Sequence, residues 1–363
     1  MPVADPIADA RRAMEVCNAC RYCEGFCAVF PAMERRRSFT DADLTTLANL
    51  CHGCRGCFYA CQYAPPHPFG INVPRTFSEL RLDSYAQYAW PKPFAALFRN
   101  NGAVVALAMA LGVGIVVVLA AALQNPAILL GAHPVRPGAF YAVIPYAVMF
   151  WPAAISLMFS IVAVIMAVRG FWRDAGPSQR TAGALGAAIR HAMTLQNLSG
   201  GGHGCNDRDD GFSTARRRLH HAISCGFALC FSASGVAAIF DRLGHPAPYA
   251  FWSAPVLLGT IGGFLMLIGA GGLFWLKLCG DQAPTAGRLV GPDVAMLALL
   301  AMVPLTGLLL LALRATSAMG IVLAVHLGFV LALFLMLPYS RMVHGAYRFA
   351  ALLRDAHDAG TGK

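Results

Sequence analysis

The chain has 363 residues, 57% apolar and 13% charged, with a mean hydropathy of +0.57 and a formal net charge of +10. Soluble domains run near 45–50% apolar and about 25% charged, so this composition excludes a disordered protein and argues against an ordinary soluble enzyme. The bias is uneven: residues 1–101 hold 11 Lys/Arg, 9 Asp/Glu and 8 of the 12 cysteines, and the long uncharged runs come after them.

No basic stretch followed by an apolar run opens the chain, so no cleavable leader is expected and the first domain is expected in the cytoplasm. That domain carries an internal repeat. Cys17-x2-Cys20-x2-Cys23-x3-Cys27 recurs 34 residues later as Cys51-x2-Cys54-x2-Cys57-x3-Cys61. Each block matches the bacterial ferredoxin run, and Pro31 and Pro65 follow the fourth cysteines. A cubane offers three irons to one short loop, which three closely spaced cysteines can reach. The fourth iron points away and takes a cysteine from the other block. The spacing therefore assigns Cys17, Cys20, Cys23 and Cys61 to one [4Fe–4S] cluster, and Cys51, Cys54, Cys57 and Cys27 to a second. Structural zinc uses two C-x2-C pairs farther apart, and disulfides do not suit a reducing compartment. Between the blocks, Leu44, Leu47 and Leu50 fall on one side of a helix expected over Asp41–Leu50. With no alternating strand pattern, an α-helical ferredoxin domain is expected over residues 1–90.

A membrane helix needs about 20 apolar residues. Six stretches free of Asp, Glu, Lys and Arg qualify: 102–123, 140–168, 222–240, 249–276, 294–313 and 315–340. Residues 91–363 are thus expected to form a six-helix membrane bundle of cytochrome b type, with a cytoplasmic loop over 169–221. With the N-terminus inside, the inner segments carry 25 Lys/Arg, and the outer loops carry only Arg136, Arg242 and Arg314. Such asymmetry fits a bacterial inner-membrane protein with both termini cytoplasmic. It also assigns the positive charge to topology and lipid, not to nucleic acid.

In the inner loop, Leu185, Ile189, Met193 and Leu195 suggest a helix over Arg180–Leu198 lying along the inner face. The glycine-rich Gly200–Cys205 stretch follows, read as a flexible turn near the first domain. Arg35, Arg36 and Arg37, with that turn, suggest a docking face for a protein partner. The four cysteines outside the blocks, Cys205, Cys225, Cys230 and Cys279, have no ligand spacing.

Four histidines sit at the membrane: His220 and His221 open the third span, His326 lies within the sixth, and His344 follows it. Without a C-x2-C-H motif, covalent haem is excluded. A b-type haem held by His344 with His220 or His221 is expected at one depth. The 18 residues from His326 to His344 make five helical turns, a rise of about 27 Å, so the two would share a face without sharing an iron. The third span offers His326 no facing His or Met. One haem is therefore expected, and His326 is left as a quinone-binding or structural residue. A redox sensor would need an output domain, and a transporter would need ionisable groups along several spans; neither is visible.

The stretches CNACRYCEGFCAVFPAMERRRSF and CHGCRGCFYACQYAPPHPFGINVP, with RRRLHH and HLGFVLALFLMLPYSRMVHGAYRF, resemble the tricarballylate-utilisation protein B family. Its CitB-type members serve citrate utilisation, and the C-terminal part of CobZ belongs with it. The resemblance covers nearly the whole chain. It implies a membrane protein that reoxidises the FAD of a partner dehydrogenase through iron–sulfur clusters and haem b, passing electrons to quinone. The last span also resembles the gamma subunit of respiratory nitrate reductase, in which a histidine pair at this separation ligates two haems.

Overall fold

The computed structural model describes residues 5–179 and 181–360. Arg180, expected to open the inner-face helix, and Lys363, counted above on the inner side, fall outside them. Among the described residues the fold is all-α, with 71% helix and almost no strand.

The first helix, Pro6–Cys20, starts where the Asp5 carboxylate accepts from the amides of Ile7 and Ala8, satisfying donors that a helix start leaves open. It stops at Arg21, which takes a left-handed φ of 55° and turns the chain into the loop holding Cys23. The helix Asp41–Leu50 lies where the leucine spacing places it, begun by a reciprocal capping box between Thr40 and Asp43. It ends at Cys51, and the short helix Gly56–Tyr59 follows Arg55, also left-handed at φ 70°. Arg21 and Arg55 each follow the second cysteine of their block, so the repeat extends to the backbone. A left-handed non-glycine residue costs about 1–2 kcal/mol, which the surrounding loop must offset. The helix Val73–Tyr88, capped by Asn72 and with Pro74 near its start, borders the space of each block through Val73.

Among the described residues, six helices are long and apolar enough to span a membrane: Asn101–Leu123, Tyr146–Asp174, Ala215–Arg242, Ala254–Cys279, Gly287–Leu313 and Met319–Tyr339. Their outward side chains, such as Leu111, Ile155 and Ile268, stay exposed, as residues facing lipid do. The third and fourth spans touch backbone to backbone. A Cβ on Gly226 would lie 2.7 Å from the Gly262 carbonyl oxygen, so small residues set this approach.

Three segments depart from expectation. The second span begins at Tyr146, because Pro145 interrupts the run and Phe140 belongs to a separate short helix, Ala139–Val143. The third begins at Ala215, seven residues early, so His220 and His221 lie inside it. The sixth does not continue to His344. Its α-helix closes at Met336, two 3-10 turns follow, Ser340 is extended, and His344 opens a new helix, His344–Gly360. His326 and His344 therefore do not share the face of one helix.

The helix His344–Gly360 returns over the first domain. Tyr347 stacks on Tyr85 with ring centroids 5.0 Å apart and meets Phe171 edge-on at 5.5 Å, so the core runs unbroken from the cysteine domain into the bundle.

Candidate iron–sulfur and haem sites

The two cysteine blocks lie side by side and exchange their last members. Cys17, Cys20, Cys23 and Cys61 all border one cavity of about 270 Å³, closed by apolar residues including Val16, Phe30 and Ile71. Cys27, Cys51, Cys54 and Cys57 border a second space, tighter at about 10 Å³. Cys57 touches both. The first set suits a four-iron cluster by donors and by volume. The second suits one by its donors, with the thiols close-packed around little room. Among the described residues, no set of three potential ligands converges on a single metal point. Burial pushes the Cys17 and Cys23 thiols up to about 12, and the neighbouring thiols, Cys61 first, push the same way. Thiols crowded in this way ionise together only against a compensating positive charge, which a metal centre supplies.

The glycine loop is a packed lid. Gly56 carries no side chain where a Cβ would fall on the Gly200 carbonyl, and a Cβ on Gly201 would lie 2.6 Å from the Phe26 ring. The Asn206 amide donates to the Cys54 carbonyl at 2.9 Å, within the short antiparallel pair of Cys205–Asn206 and Phe212–Ser213. Arg55 ties the same corner down, donating to the carbonyls of Asp207 (2.9 Å) and Asp281 (3.1 Å) and to Thr285 Oγ1. Arg216 donates to the Gly53 carbonyl at 2.6 Å and pairs with Asp207 at 2.5 Å. The flexible turn expected here is thus fixed in place: Gly200 and Gly201 let its backbone press on the cysteine loops, and Gly202 packs on Phe212 of the same loop.

Two of the three arginines expected at the docking face are already paired within the chain. Arg35 pairs with Asp355, while Arg36 pairs with Asp43 at 2.7 Å and Asp358 at 3.5 Å. Both fasten the C-terminal helix, which leaves Arg37 alone exposed of the three.

The histidines divide. The His220 and His344 rings face each other with centroids 6.2 Å apart. Two imidazoles at this separation would be near enough to hold one metal ion between them. The His344 Nδ1 bonds the Arg341 carbonyl, which leaves Nε2 free as a lone pair, the usual arrangement of a ligating histidine. Burial and the Arg348 guanidinium hold His344 well below the ordinary histidine range, so it is neutral. His221 turns away, its Nε2 lying 2.9 Å from the Met193 carbonyl of the helix Ala184–Thr194. That helix is shorter than expected but presents Leu185, Ile189 and Met193 outward on one side.

His326 lines an apolar cavity of about 340 Å³ between the third to sixth spans, toward the end that holds Arg314 and Tyr249 and away from the cysteine domain. Its Nδ1 lies 3.1 Å from Thr306 Oγ1, a hydroxyl that also reaches the carbonyls of Met302 at 2.7 Å and Val303 at 3.0 Å. On the same wall, the buried Thr260 hydroxyl has no partner. Of the unassigned cysteines, Cys230 also borders this cavity and Cys205 is buried beneath the glycine lid.

One histidine escaped the sequence reading. His52, between Cys51 and Gly53, is 9% exposed and borders the second cysteine space. Its Nδ1 bonds the Leu50 carbonyl at 2.8 Å, and its Nε2 is buried without a partner. The signal was inside the repeat, where the first block has Asn18 at the same offset.

Residues 10–90 match the citrate utilization protein B Fer4-like domain, and residues 100–362 match citrate utilization protein B. The chain belongs to the citrate utilization protein B family. It is 45% identical to the citrate utilization protein B of Escherichia coli, over 99% of this chain and 95% of that protein. No solved structure matches it. The Fer4-like domain of the family falls on both cysteine blocks, which gives them an iron–sulfur electron-transfer role, and the second family region contains all six spans.

Proposed function

We propose that this citrate utilization family chain is a membrane electron carrier that reoxidises the reduced FAD of a cytoplasmic dehydrogenase acting on a tricarballylate- or citrate-type acid. In a domain of residues 1–90, Cys17, Cys20, Cys23 and Cys61 would hold one [4Fe–4S] cluster and Cys51, Cys54, Cys57 and Cys27 a second. Within the bundle of residues 91–363, His220 and His344 would hold one haem b, with quinone as the final acceptor. Clusters and haem supply one-electron chemistry; the chain performs no bond chemistry on the acid.

The observation that carries this reading is the exchange of fourth cysteines. Cys61 borders the space of the first block and Cys27 that of the second, which brings two four-thiol sets into one small domain. The second block lies against the helix that His344 opens: the Arg348 guanidinium donates to the Cys51 carbonyl at 3.0 Å. The unpartnered Thr260 hydroxyl and the His326 imidazole suit a ring with carbonyl oxygens arriving from lipid. The Lys/Arg asymmetry supports an inner-membrane location with both termini on the cytoplasmic side.

Isolated membranes test the whole route. Quinone-dependent oxidation of the partner's flavin is expected to vanish when this chain is deleted and to return on complementation. Unchanged oxidation without the chain would overturn the proposal.

A further inference from the structure

Two guanidiniums meet at the second cysteine block. Arg81, on the helix Val73–Tyr88 and 5% exposed, donates to the carbonyls of Ala48 at 2.9 Å and Cys51 at 2.8 Å. Arg348, one turn beyond His344, donates to the same Cys51 carbonyl at 3.0 Å, and its Nε is buried without a partner. Among the described residues neither arginine pairs with a carboxylate. Asp293 is already shared by Lys277 at 2.6 Å and Arg341 at 2.8 Å.

Such an arrangement is unfavourable by itself. A buried charge is ordinarily paired, the desolvation of an ion costs several kcal/mol, and arginine does not escape by losing its proton. Burial, with Arg81 next, pulls Arg348 down to about 10. The junction is short of negative charge, and a four-iron cluster on four thiolates carries about two negative charges. The first block differs: the cavity of Cys17, Cys20, Cys23 and Cys61 has no lysine or arginine in its wall, whereas Arg55 also borders the second space.

We infer that Arg81 and Arg348 are the counter-charge of the cluster on the second cysteine block and make it the more easily reduced of the two. The inference rests on the cluster reading proposed above. A cluster gains one negative charge on reduction, and two fixed cations at its ligand backbone favour that state. The reduction potential then rises from the first block to the second, the direction in which electrons run toward His220 and His344. Arg81 and Arg348 act as positioning residues of charge: they touch the backbone of a ligand and leave the irons to the thiols.

The test is a redox titration followed by electron paramagnetic resonance on the full chain in membranes, comparing Arg348→Met, Arg81→Met and the double variant with Arg348→Lys. Each methionine variant should lower the reduced-to-oxidised ratio of the second cluster about tenfold at a fixed potential, a shift of 59 mV for one electron, and leave the first cluster in place. Arg348→Lys should keep the original ratio, which separates charge from packing and serves if a methionine variant fails to fold. An unmoved second cluster in the double variant would overturn the inference. A shift confined to the haem would also overturn it and assign the arginines to a haem carboxylate. Iron and sulfide absent from the unaltered chain would instead refute the cluster reading itself. Thermal unfolding of the cluster-free chain gives a second readout: Arg348→Met should raise the midpoint there and lower the gain on cluster loading. A drop in both states would mark Arg348 as merely structural.

Discussion

Gly56 and Gly200 meet backbone to backbone, with the Gly200 carbonyl lying where a side chain on residue 56 would begin. Gly56 opens the short helix that carries Cys57, and Gly200 belongs to the loop between the second and third spans. The contact therefore clamps a membrane loop onto the second cysteine block. Gly56→Ala must displace one of two backbones, and overpacking of this kind costs about 1–3 kcal/mol. The expected result is reduced iron content of the second cluster with normal insertion of the chain. Gly53→Ala is a poor control, because its φ of 68° is strained for any side chain. Gly25→Ala is a good one, since a Cβ there meets nothing within 4 Å. Equal iron in Gly56→Ala and Gly25→Ala chains would remove the lid from the account.

The exchange of fourth cysteines predicts crossed damage. Cys27→Ser should disturb the cluster of Cys51, Cys54 and Cys57, and Cys61→Ser that of Cys17, Cys20 and Cys23. Electron paramagnetic resonance separates the two signals. Damage to the cluster of the mutated block's own first three cysteines would contradict the geometry. The second space is the tighter, so Cys27→Ser should also be the more harmful to loading.

Much of this site was legible because its signals are local. The cysteine offsets specify two loops and, through the cubane's geometry, which block lends its fourth ligand. The helix Asp41–Leu50 follows from three leucines on one side, at 44, 47 and 50. What could not be read is long-range. Arg35 and Arg36 look like a surface charge run, yet their carboxylate partners include Asp355 and Asp358, more than 300 residues away. Arg55 is bonded to Asp281 across 226 positions. Three glycines in a row read as freedom, and became close packing once Phe26 and Gly56 stood opposite. Pro338 is a breaker inside the run from His326 to His344, which the apolar pattern reads as one helix and which is two.

Arg35 and Asp355 define a testable strap. Arg35→Ala should loosen the C-terminal helix, and the doubly reversed pair Arg35→Asp with Asp355→Arg should restore it. Partly exposed pairs contribute little, about 0.2–1 kcal/mol, so the expected change in melting is small. The informative readout is limited proteolysis near residues 350–360. If Arg35→Ala instead slows flavin reoxidation with proteolysis unchanged, this arginine is a partner contact and the strap is secondary.

The histidine geometry makes the last prediction. His220 faces His344 across 6.2 Å, whereas His221 is committed to the Met193 carbonyl. His220→Ala and His344→Ala should each abolish the absorbance of a low-spin haem, and His221→Ala should leave it. Haem per polypeptide should be near one. His326 lies in a different helix, in a cavity shared with the Thr260 hydroxyl. His326→Ala and Thr260→Val should keep that haem but raise the quinone concentration needed for half-maximal cluster oxidation. Losing one hydrogen bond of about 0.5–1.5 kcal/mol corresponds to a rise of about 2- to 13-fold. Two haems per chain, with one lost in His326→Ala, would place a porphyrin in the cavity instead and show that the spans carry electrons farther from the cysteine domain than one haem allows. Haem lost with His221 and kept without His220 would mean that the facing pair is a packing contact.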